Sequence, residues 1–241
     1  MSQLEAIDAA TDVVEGARIA LEDARQVETR LNGYFADLEP ARHQWQSLVE
    51  DLREANANLR RAAILAQTRF NDYSEDREPS TYGVVTLSPM TKVERHSAPP
   101  GVVDGTVTVE LARDEYESAQ FTIWPFDRGL EDVTVQVSDL AHTEKKGVIL
   151  AGDVDIRLVR FVECRPPEYQ PDLVGFVPDP LFPYEPFDVP AGTHQPVWLT
   201  LHVSRALPAG TYEGSIEIRA PGETARTLPP VSYTHLRAHE T

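Results

Sequence analysis

Prolines divide this chain into two regions of different character. Only Pro40 and Pro79 precede residue 80, whereas 17 of the 19 prolines follow it. A helix interior excludes proline, which lacks an N–H and clashes with the preceding turn, but turns and loops accept it. The first region can therefore form long helices, and the second has to be built from short elements joined by turns. We place the boundary near residues 74–80.

The first region carries apolar residues at alternating steps of three and four. One set is Ile7, Ala10, Val14, Ala17, Leu21, Ala24, Leu31, Phe35 and Leu38, and a second is Trp45, Leu48, Leu52, Ala55, Leu59, Ala62 and Ala66. This spacing is typical of helices that pack along an apolar seam. The short break at Glu39 and Pro40 favours an antiparallel, coiled-coil-like helical hairpin over residues 1–76.

A second interpretation of the same pattern stays open. The register also continues through the break as Leu38, Trp45, Val49, Leu52, Asn56 and Leu59. In that case the region would be one kinked helix that pairs with another chain, so helix-mediated self-association is an alternative to the hairpin.

The second region changes its apolar period from about 3.5 to two. Alternation of this kind predicts strands with one buried face, and glycine, proline and aspartate pairs mark the turns between them. Strands are expected around Val107–Leu111, Phe121–Ile123, Val133–Val137, Val154–Val162, Val197–Val203 and Tyr212–Ile218. The predicted fold class is α+β: the hairpin, a linker at 77–82, and an all-β antiparallel, immunoglobulin-like sandwich at 83–230. Pro166 to Pro190 is predicted to be a long loop.

The last eleven residues have an unusual sequence. Residues 231–241 read VSYTHLRAHET, which back-translates in frame to a sequence resembling a common transposase sequencing adapter. We expect a non-native tail from metagenomic read-through on a truncated chain, and we exclude it from fold reasoning as one excludes a tag. His235 and His239, although spaced like half of a helical zinc site, are excluded with it.

Composition excludes several classes of function. The net charge is −17, from 22 basic and 39 acidic residues, which repels nucleic acid and anionic lipid. A single cysteine, Cys164, rules out a disulfide framework and a cysteine-rich zinc module. No window is long and apolar enough to span a bilayer, and no metal or cofactor is expected.

Motifs for common catalytic chemistry are missing from the sequence. It holds no glycine-rich phosphate loop and no G-x-S-x-G nucleophile elbow. Asp114, Glu115 and Glu117 crowd one turn, and paired carboxylates are the groups that glycosidases use. Neighbours on an extended segment point to opposite faces, so Asp114 and Glu115 are not expected to face one substrate. We expect structural roles for these carboxylates.

Aromatic residues in the proline-rich segment are candidates for ligand contact. Tyr169, Phe176, Phe182 and Tyr184 could form a stacking surface for a glycan. Trp124, by contrast, is expected to pack in the core, as buried aromatic side chains usually do.

The β region resembles a known family through several segments in a fixed order. They are VVTLSPMTKV (84–93), VELARDEYESAQFTIWP (109–125), VPDPLFP (177–183), VPAGTHQPVWLTLHV (189–203) and LPAGTYEGSIEI (207–218). Residues 83–230 are similar to the N-terminal β-sandwich domain of glycoside hydrolase family 123 and of a related bacterial family of unknown function. The helical region lies outside this resemblance.

The resemblance implies a secreted or periplasmic enzyme in which the sandwich packs beside a catalytic barrel. It also implies that an adjacent Asp–Glu pair for substrate-assisted hydrolysis of N-acetylgalactosaminides lies in that barrel, so no catalytic residue is carried over to this chain. Six residues of the matching segments are expected to be structural. They are Glu115, Glu117, Gln120, Asp179, Gly210 and Tyr212. Glu115, Glu117 and Gln120 are expected to fasten turns by hydrogen bonds to backbone N–H groups.

The function predicted from these observations is that of a non-catalytic N-terminal fragment of a glycoside hydrolase, with the missing barrel as its partner in cis. The alternative is a carbohydrate-binding module or a scaffold module of a cell-envelope protein. An envelope adaptor with a projecting hairpin fits least well, because the hairpin here precedes all the strands.

Overall fold

The computed structural model describes residues 3–36, 42–164 and 175–237. The chain divides into two compact units, Met1–Ser80 and Thr81–Thr241. The first unit is helical and the second is built from strands, and each is described by itself. No helix within these ranges is both long and apolar enough to cross a bilayer.

Two long helices form the first unit. Helix α1 spans Gln3–Ala36 and α2 spans Arg42–Ser74, and they pack against each other along their length. Val27, Leu48 and Ala55 form the buried cluster between them. The Asn58 amide donates to the Asp23 carboxylate at 2.6 Å and fixes the antiparallel register. The predicted pair of packed helices is thereby confirmed, while the break at Glu39 and Pro40 lies outside the described residues.

The seam between the helices differs by one position from the expected one on α1. Ala20 and Val27 are buried there, whereas Val14 and Leu21 of the predicted seam are exposed to 66% and 50%. Gly16 and Ala20 explain the difference, because small residues let the two backbones approach closely. The Cβ that Gly16 lacks would stand 3.7 Å from the Leu65 side chain. On α2 the predicted seam is split: Leu48 and Ala55 are buried, but Leu52 and Leu59 are exposed.

Helix α2 ends in a turn that is fastened by the Asp72 side chain. Asp76 has a φ of 52°, and the Arg77 N–H donates to the Asp72 carbonyl at 2.8 Å, as in a Schellman cap. The Asp72 carboxylate is buried, accepts from the Ser80 N–H at 2.9 Å, and pairs with Arg77 at 3.3 Å.

Thirteen strands are described in the second unit. In chain order they are β1 (Tyr82–Leu87), β2 (Val102–Val103), β3 (Thr108–Ala112), β4 (Tyr116–Pro125), β5 (Leu130–Val137), β6 (Leu140–His142), β7 (Val148–Ile149), β8 (Val154–Cys164), β9 (Gly175–Pro183), β10 (Phe187–Val189), β11 (Gln195–His202), β12 (Tyr212–Arg219) and β13 (Arg226–Arg237). A single 3-10 turn at Ala151–Asp153 precedes β8.

These strands form two sheets. The six-stranded sheet has the order β2-β1-β4-β11-β8-β9, and the second has the order β10-β5-β12-β13-β3, with β6 and β7 attached to β12. All described pairs are antiparallel except β13 with β3. One apolar core lies between the sheets, with Phe121 and Val197 from the first and Val133 and Ile216 from the second. The predicted fold class, a helical pair followed by antiparallel sheets, is confirmed.

The segment from Pro166 to Pro190 contains two strands where a long loop was expected. Residues 165–174 lie outside the described part, but β9 pairs with β8 and β10 pairs with β5. Strand β9 holds Pro178, Pro180 and Pro183 and still pairs because it is the edge of its sheet. Only one side of an edge strand needs ladder hydrogen bonds, so proline is tolerated there.

The C-terminal segment also departs from expectation. We excluded residues 231–241 from the fold, yet the backbone of β13 continues to Arg237 and pairs with β12 and β3. Valine, tyrosine and threonine in this stretch favour extended backbone. The stretch beyond Leu228 is therefore part of the sheet within the described residues.

Burial of Phe121 predicts that its truncation strongly destabilises the fold. Phe121 is fully buried in the core, while Phe182 at the sheet edge is 51% exposed. The Phe121→Ala variant should lose about 3–5 kcal/mol of unfolding free energy, because it leaves a cavity between the sheets. Phe182→Ala should lose less than about 1 kcal/mol. Urea unfolding followed by circular dichroism measures both, and equal losses would contradict the assignment of the core.

Candidate functional site

The six-stranded sheet is buried on both faces over part of its width. Along β4, Ala119, Phe121 and Ile123 point into the sandwich, and Gln120, Thr122 and Trp124 alternate with them on the other face. All six are at most 6% exposed. Residues 88–101, which follow β1, cover this outer face, and we call them the covering segment. Val93 and Ala98 of this segment are themselves buried.

Gln120 is one of two side chains that fasten the covering segment. Its amide Nε2 donates to the Ser88 carbonyl at 2.6 Å and to the Thr91 carbonyl at 2.8 Å. The side chain is 6% exposed, so both hydrogen bonds are shielded from water and losing them would leave a buried donor without a partner. Gln120 itself lies within β4, and it fastens the covering segment by donating to carbonyl groups, whereas bonds to backbone N–H groups were expected.

His194 is the second fastening, and sequence reasoning did not single it out. Its Nε2 lies 2.9 Å from the Glu94 carbonyl and its Nδ1 lies 2.8 Å from the Thr122 hydroxyl. A carbonyl only accepts, so Nε2 carries the proton and Nδ1 accepts from Thr122. The ring stacks on Trp124 with centroids 5.9 Å apart and meets the Phe161 ring edge-on at 5.8 Å. Burial lowers the pKa of His194 to about 4 and keeps it neutral.

A cleft lies beside the covering segment on the same face. This outer-face cleft has a volume of about 180 Å³ and is lined by Leu87, Pro89, Thr91, Lys92, Val93, Gln120, Thr122, Val159, Pro178, Asp179, Leu181, Pro196 and Trp198. Its charged groups are Lys92 and Asp179, whose Nζ and Oδ1 atoms are 3.6 Å apart. The Trp198 indole N–H donates to the Thr200 hydroxyl at 3.2 Å. Apolar walls with a few polar groups are typical of small-molecule sites.

Two residues of the predicted stacking surface, Phe176 and Phe182, do not lie together. Phe182 pairs with the core residue Leu158, whereas Phe176 pairs with Glu163 beyond a register shift between Val159 and Phe161. One extra residue in β9 moves the following side chains to the opposite face. Accordingly, Phe176 lies near Arg95 of the covering segment, with its ring centroid 5.4 Å from the Arg95 guanidinium carbon.

Tyr184, a third residue of the predicted aromatic set, does not join Phe176 or Phe182. The Tyr184 hydroxyl accepts from the Val135 N–H at 2.7 Å and its ring packs against the core, so Tyr184 connects β5 to the segment after β9. Tyr169 lies outside the described residues. Asp179, expected to be structural, is instead exposed at the rim of the outer-face cleft.

The carboxylates around the start of β4 are held by backbone N–H groups or by an arginine. The Glu115 carboxylate accepts from the Ala112 N–H at 2.6 Å, and Glu117 accepts from the Ser118 N–H at 3.0 Å. Asp114 has a φ of 65°, and its carboxylate accepts from Arg205 at 2.8 Å. The Arg205 guanidinium, and then His202, lower the pKa of Asp114.

Gly210 and Tyr212 meet His142 at one corner of the second sheet. The φ of Gly210 is 153°, and an added Cβ would lie 2.2 Å from His142 Nε2. The Tyr212 hydroxyl donates to the Pro208 carbonyl at 2.8 Å, and its ring meets His142 edge-on with centroids 4.9 Å apart. Burial raises the pKa of Tyr212. Glycine is required here because any side chain would displace the histidine.

A buried ion pair was also missed from the sequence. Arg226 is 1% exposed, and its guanidinium makes two hydrogen bonds to the Asp104 carboxylate. Next to it, the Tyr82 hydroxyl donates to the Thr224 carbonyl at 3.1 Å, and burial raises the pKa of Tyr82 to about 12. Asp104 and Arg226 are 122 positions apart, so no local pattern connects them. Within the described ranges, no group of three His, Cys, Asp or Glu residues could hold a metal ion.

Comparisons with known proteins identify the second unit. Residues 104–220 match the family described as Glycoside hydrolase 123 N-terminal domain. The structure of a family 123 glycoside hydrolase from Clostridium perfringens, studied for glycolipid glycan hydrolysis, is similar at a TM-score of 0.57 and 17% identity. That likeness covers 66% of this chain and 28% of the other. Residues 104–220 therefore match the N-terminal domain of glycoside hydrolase family 123, and the resemblance found in the sequence is confirmed.

Other likenesses are weaker. AvmM, which catalyses macrocyclization in alchivemycin A biosynthesis, matches at a TM-score of 0.33 and 6% identity over 57% of this chain and 89% of that one. The sporulation control protein Spo0M from Bacillus subtilis matches at 0.29 and 8% identity over 64% and 50%. Such scores carry no argument about function. No curated protein sequence matches the chain.

The state of His194 makes stability depend on pH. An unfolded histidine titrates near pH ~6.5, whereas His194 titrates near 4 in the fold. The unfolded chain therefore takes up the proton first, and stability from this group is complete above about pH 6.5 and is lost as the pH falls towards 4, by roughly 3 kcal/mol. His194→Gln should flatten this dependence in urea titrations between those limits. His202→Gln, at a half-exposed histidine, is the control, and an unchanged slope in His194→Gln would refute the assignment.

The corner at Gly210 gives a third prediction. Gly210→Ala should destabilise the fold by about 2 kcal/mol or more, because it combines backbone strain with a clash against His142. Gly152 has no atom within 4 Å of an added Cβ, so Gly152→Ala should stay within about 0.5 kcal/mol of the parent. Differential scanning calorimetry compares the two, and similar melting temperatures would show that the corner tolerates a side chain.

Proposed function

We propose that this chain carries the non-catalytic N-terminal sandwich of a family 123-type glycoside hydrolase, and that hydrolysis takes place in a separate catalytic barrel of the same polypeptide. The observation that carries the proposal is the match of residues 104–220 to the N-terminal domain of this family. The likeness to the Clostridium perfringens hydrolase extends over 28% of that chain, which leaves room for other domains. N-acetylgalactosaminides outside the cytoplasm are the proposed substrate class and setting.

The state of the carboxylates supports a non-catalytic role. A glycosidase needs a carboxylic acid that is protonated near neutral pH, which requires a raised pKa. Asp114 has the opposite tendency, since its pKa is lowered by Arg205 and His202. Glu115 is occupied by the Ala112 N–H. Neither of these adjacent carboxylates is suited to donate a proton to a leaving group.

Apolar exposure supports contact with a further domain. On the outer face near the β9 edge, Phe176 and Leu181 are each at least 40% exposed. Large apolar side chains grouped on a surface mark sites that other protein surfaces cover. A catalytic domain in cis is the proposed cover.

An activity assay tests the non-catalytic assignment. The purified chain should not release nitrophenol from p-nitrophenyl N-acetyl-β-galactosaminide above the rate of buffer. Asp114→Asn with Glu115→Gln serves as the matched variant and should be indistinguishable from the parent. Turnover by the parent that this variant abolishes would contradict the proposal, because it would place the catalytic pair in this chain.

A second candidate function is glycan binding in the outer-face cleft. The observation in its favour is the joint presence of Trp198, Asp179 and Lys92 around one opening, since an aromatic ring with nearby charged groups can hold a sugar. Its 180 Å³ is below the roughly 300–1,000 Å³ of most small-molecule pockets. The cleft would therefore take a single ring.

Calorimetric titration separates this candidate from the first. N-acetylgalactosamine at millimolar concentration should give a saturable heat that Asp179→Ala removes and Asp127→Ala, at an exposed position outside the cleft, retains. No heat with the parent, or equal heat with both variants, would eliminate the cleft as a glycan site.

A further inference from the structure

The helical hairpin exposes apolar residues that its own seam does not use. On α1 these are Val14, Ala17, Leu21 and the half-buried Ala24, and on α2 they are Val49, Leu52, Leu59, Ala63, Phe70 and Tyr73; together we call them the apolar stripe. The large members are 42–67% exposed. Single exposed apolar residues are ordinary on a protein surface, but a continuous row of them marks an interaction surface.

The stripe follows a heptad repeat. From Val49 the positions on α2 continue in steps of three and four through Leu52, Asn56, Leu59, Ala63, Ala66, Phe70 and Tyr73. On α1 the same steps run from Val14 to Ala24. Alternating steps of three and four keep the side chains on one face of a helix, which is the pattern of helices that pack against other helices.

Both halves of the stripe lie on the same side of the hairpin. On α1, Leu21 follows the buried Ala20, and on α2, Val49 follows the buried Leu48. One residue turns a helix by about 100°. Because the helices are antiparallel, equal turns along each chain bring the two halves to the same side. The Asp23–Asn58 hydrogen bond sets Leu21 and Leu59 at nearly the same level.

We propose that two copies of this chain pair through their apolar stripes and form a four-helix bundle. The size of the surface fits a reversible pairing of two copies. At 1.5 Å per residue the stripe spans about 36 Å along α2, from Val49 to Tyr73, and about 15 Å along α1, from Val14 to Ala24. With about 9 Å of width per helix, each copy would contribute roughly 450 Å², so the pair would bury about 900 Å², the size of a weak protein interface.

Asn56 lies within the stripe, and its side chain suits pairing with the same residue of a second copy. A side-chain amide carries both donors and acceptors, so it can hydrogen-bond to the same amide of another chain. A single asparagine at such a heptad position is a known means of specifying pairing between helices. A purely apolar partner would instead leave this amide without hydrogen bonds.

Charged residues beside the stripe also favour a second copy as the partner. Arg18 pairs with Glu15 at 2.7 Å, and Arg53 pairs with Glu50 at 3.5 Å. Each flank therefore carries both signs, which suits a surface with the same mixture. An anionic lipid surface is disfavoured as the occupant by the net charge of −17.

Sedimentation equilibrium on the full chain at tens of micromolar tests this interface. The parent should have twice the chain mass of 26.9 kDa, and its melting temperature should rise with concentration. The double variant Leu21→Glu, Leu59→Glu should sediment as a monomer. The matched control is Ile19→Glu, because Ile19 is 47% exposed but lies on another face of α1, and this variant should remain dimeric.

Circular dichroism tests whether the double variant is still folded. The double variant should keep the helical signal of the parent, so that loss of the dimer is not loss of the hairpin. A monomeric parent would overturn the proposal and would leave the stripe to another partner. A dimer that survives in the double variant would also overturn it, since the contact would then lie elsewhere. The outcome is independent of the proposed function, which concerns residues 104–220.

Discussion

The second unit depends on a sheet that buries residues on both of its faces. One face of β4 contributes to the core of the sandwich, and the other contributes Gln120, Thr122 and Trp124, which would meet water without the covering segment. Two buried hydrogen-bonding side chains hold that segment: Gln120 binds two of its carbonyls and His194 binds a third. Since unpaired buried donors are costly, these bonds fix the path of the segment as well as its presence.

The same arrangement shapes the functional surface. The outer-face cleft lies where the covering segment stops protecting the sheet, between Pro89 and Lys92 on one side and Asp179 and Leu181 of β9 on the other. The cleft therefore offers an accessible apolar surface next to a segment that is held in place by buried hydrogen bonds. This combination suits a domain that supports another domain or holds a small ligand.

Much of the fold could be predicted from short-range pattern. Period-two alternation located β3, β4, β5, β8, β11 and β12, and the steps of three and four located both helices. These sequence patterns did not predict features that depend on how distant segments pack or pair. The proline-rich β9 forms because an edge strand needs few N–H donors, and the α1 seam uses Gly16 and Ala20 because small residues permit close approach.

The site could be predicted only in part. Gln120 was identified from the resemblance, but its carbonyl partners in the covering segment could not be. His194 and Arg226 were missed because each acts through a residue far away in sequence: Glu94 is 100 positions from His194, and Asp104 is 122 from Arg226. Within the aromatic set, Phe176 and Phe182 do not share one surface, because a one-residue register shift in β9 separates them.

The central claim is that this sandwich serves a catalytic domain encoded in the same gene. Long-read sequencing of the source DNA across the codon for Pro230 tests it most directly. The account predicts an open frame that continues into a (β/α) barrel with adjacent Asp and Glu residues at the end of a strand. A stop codon, or a further sandwich with no barrel, would contradict it and would favour a binding or scaffold role.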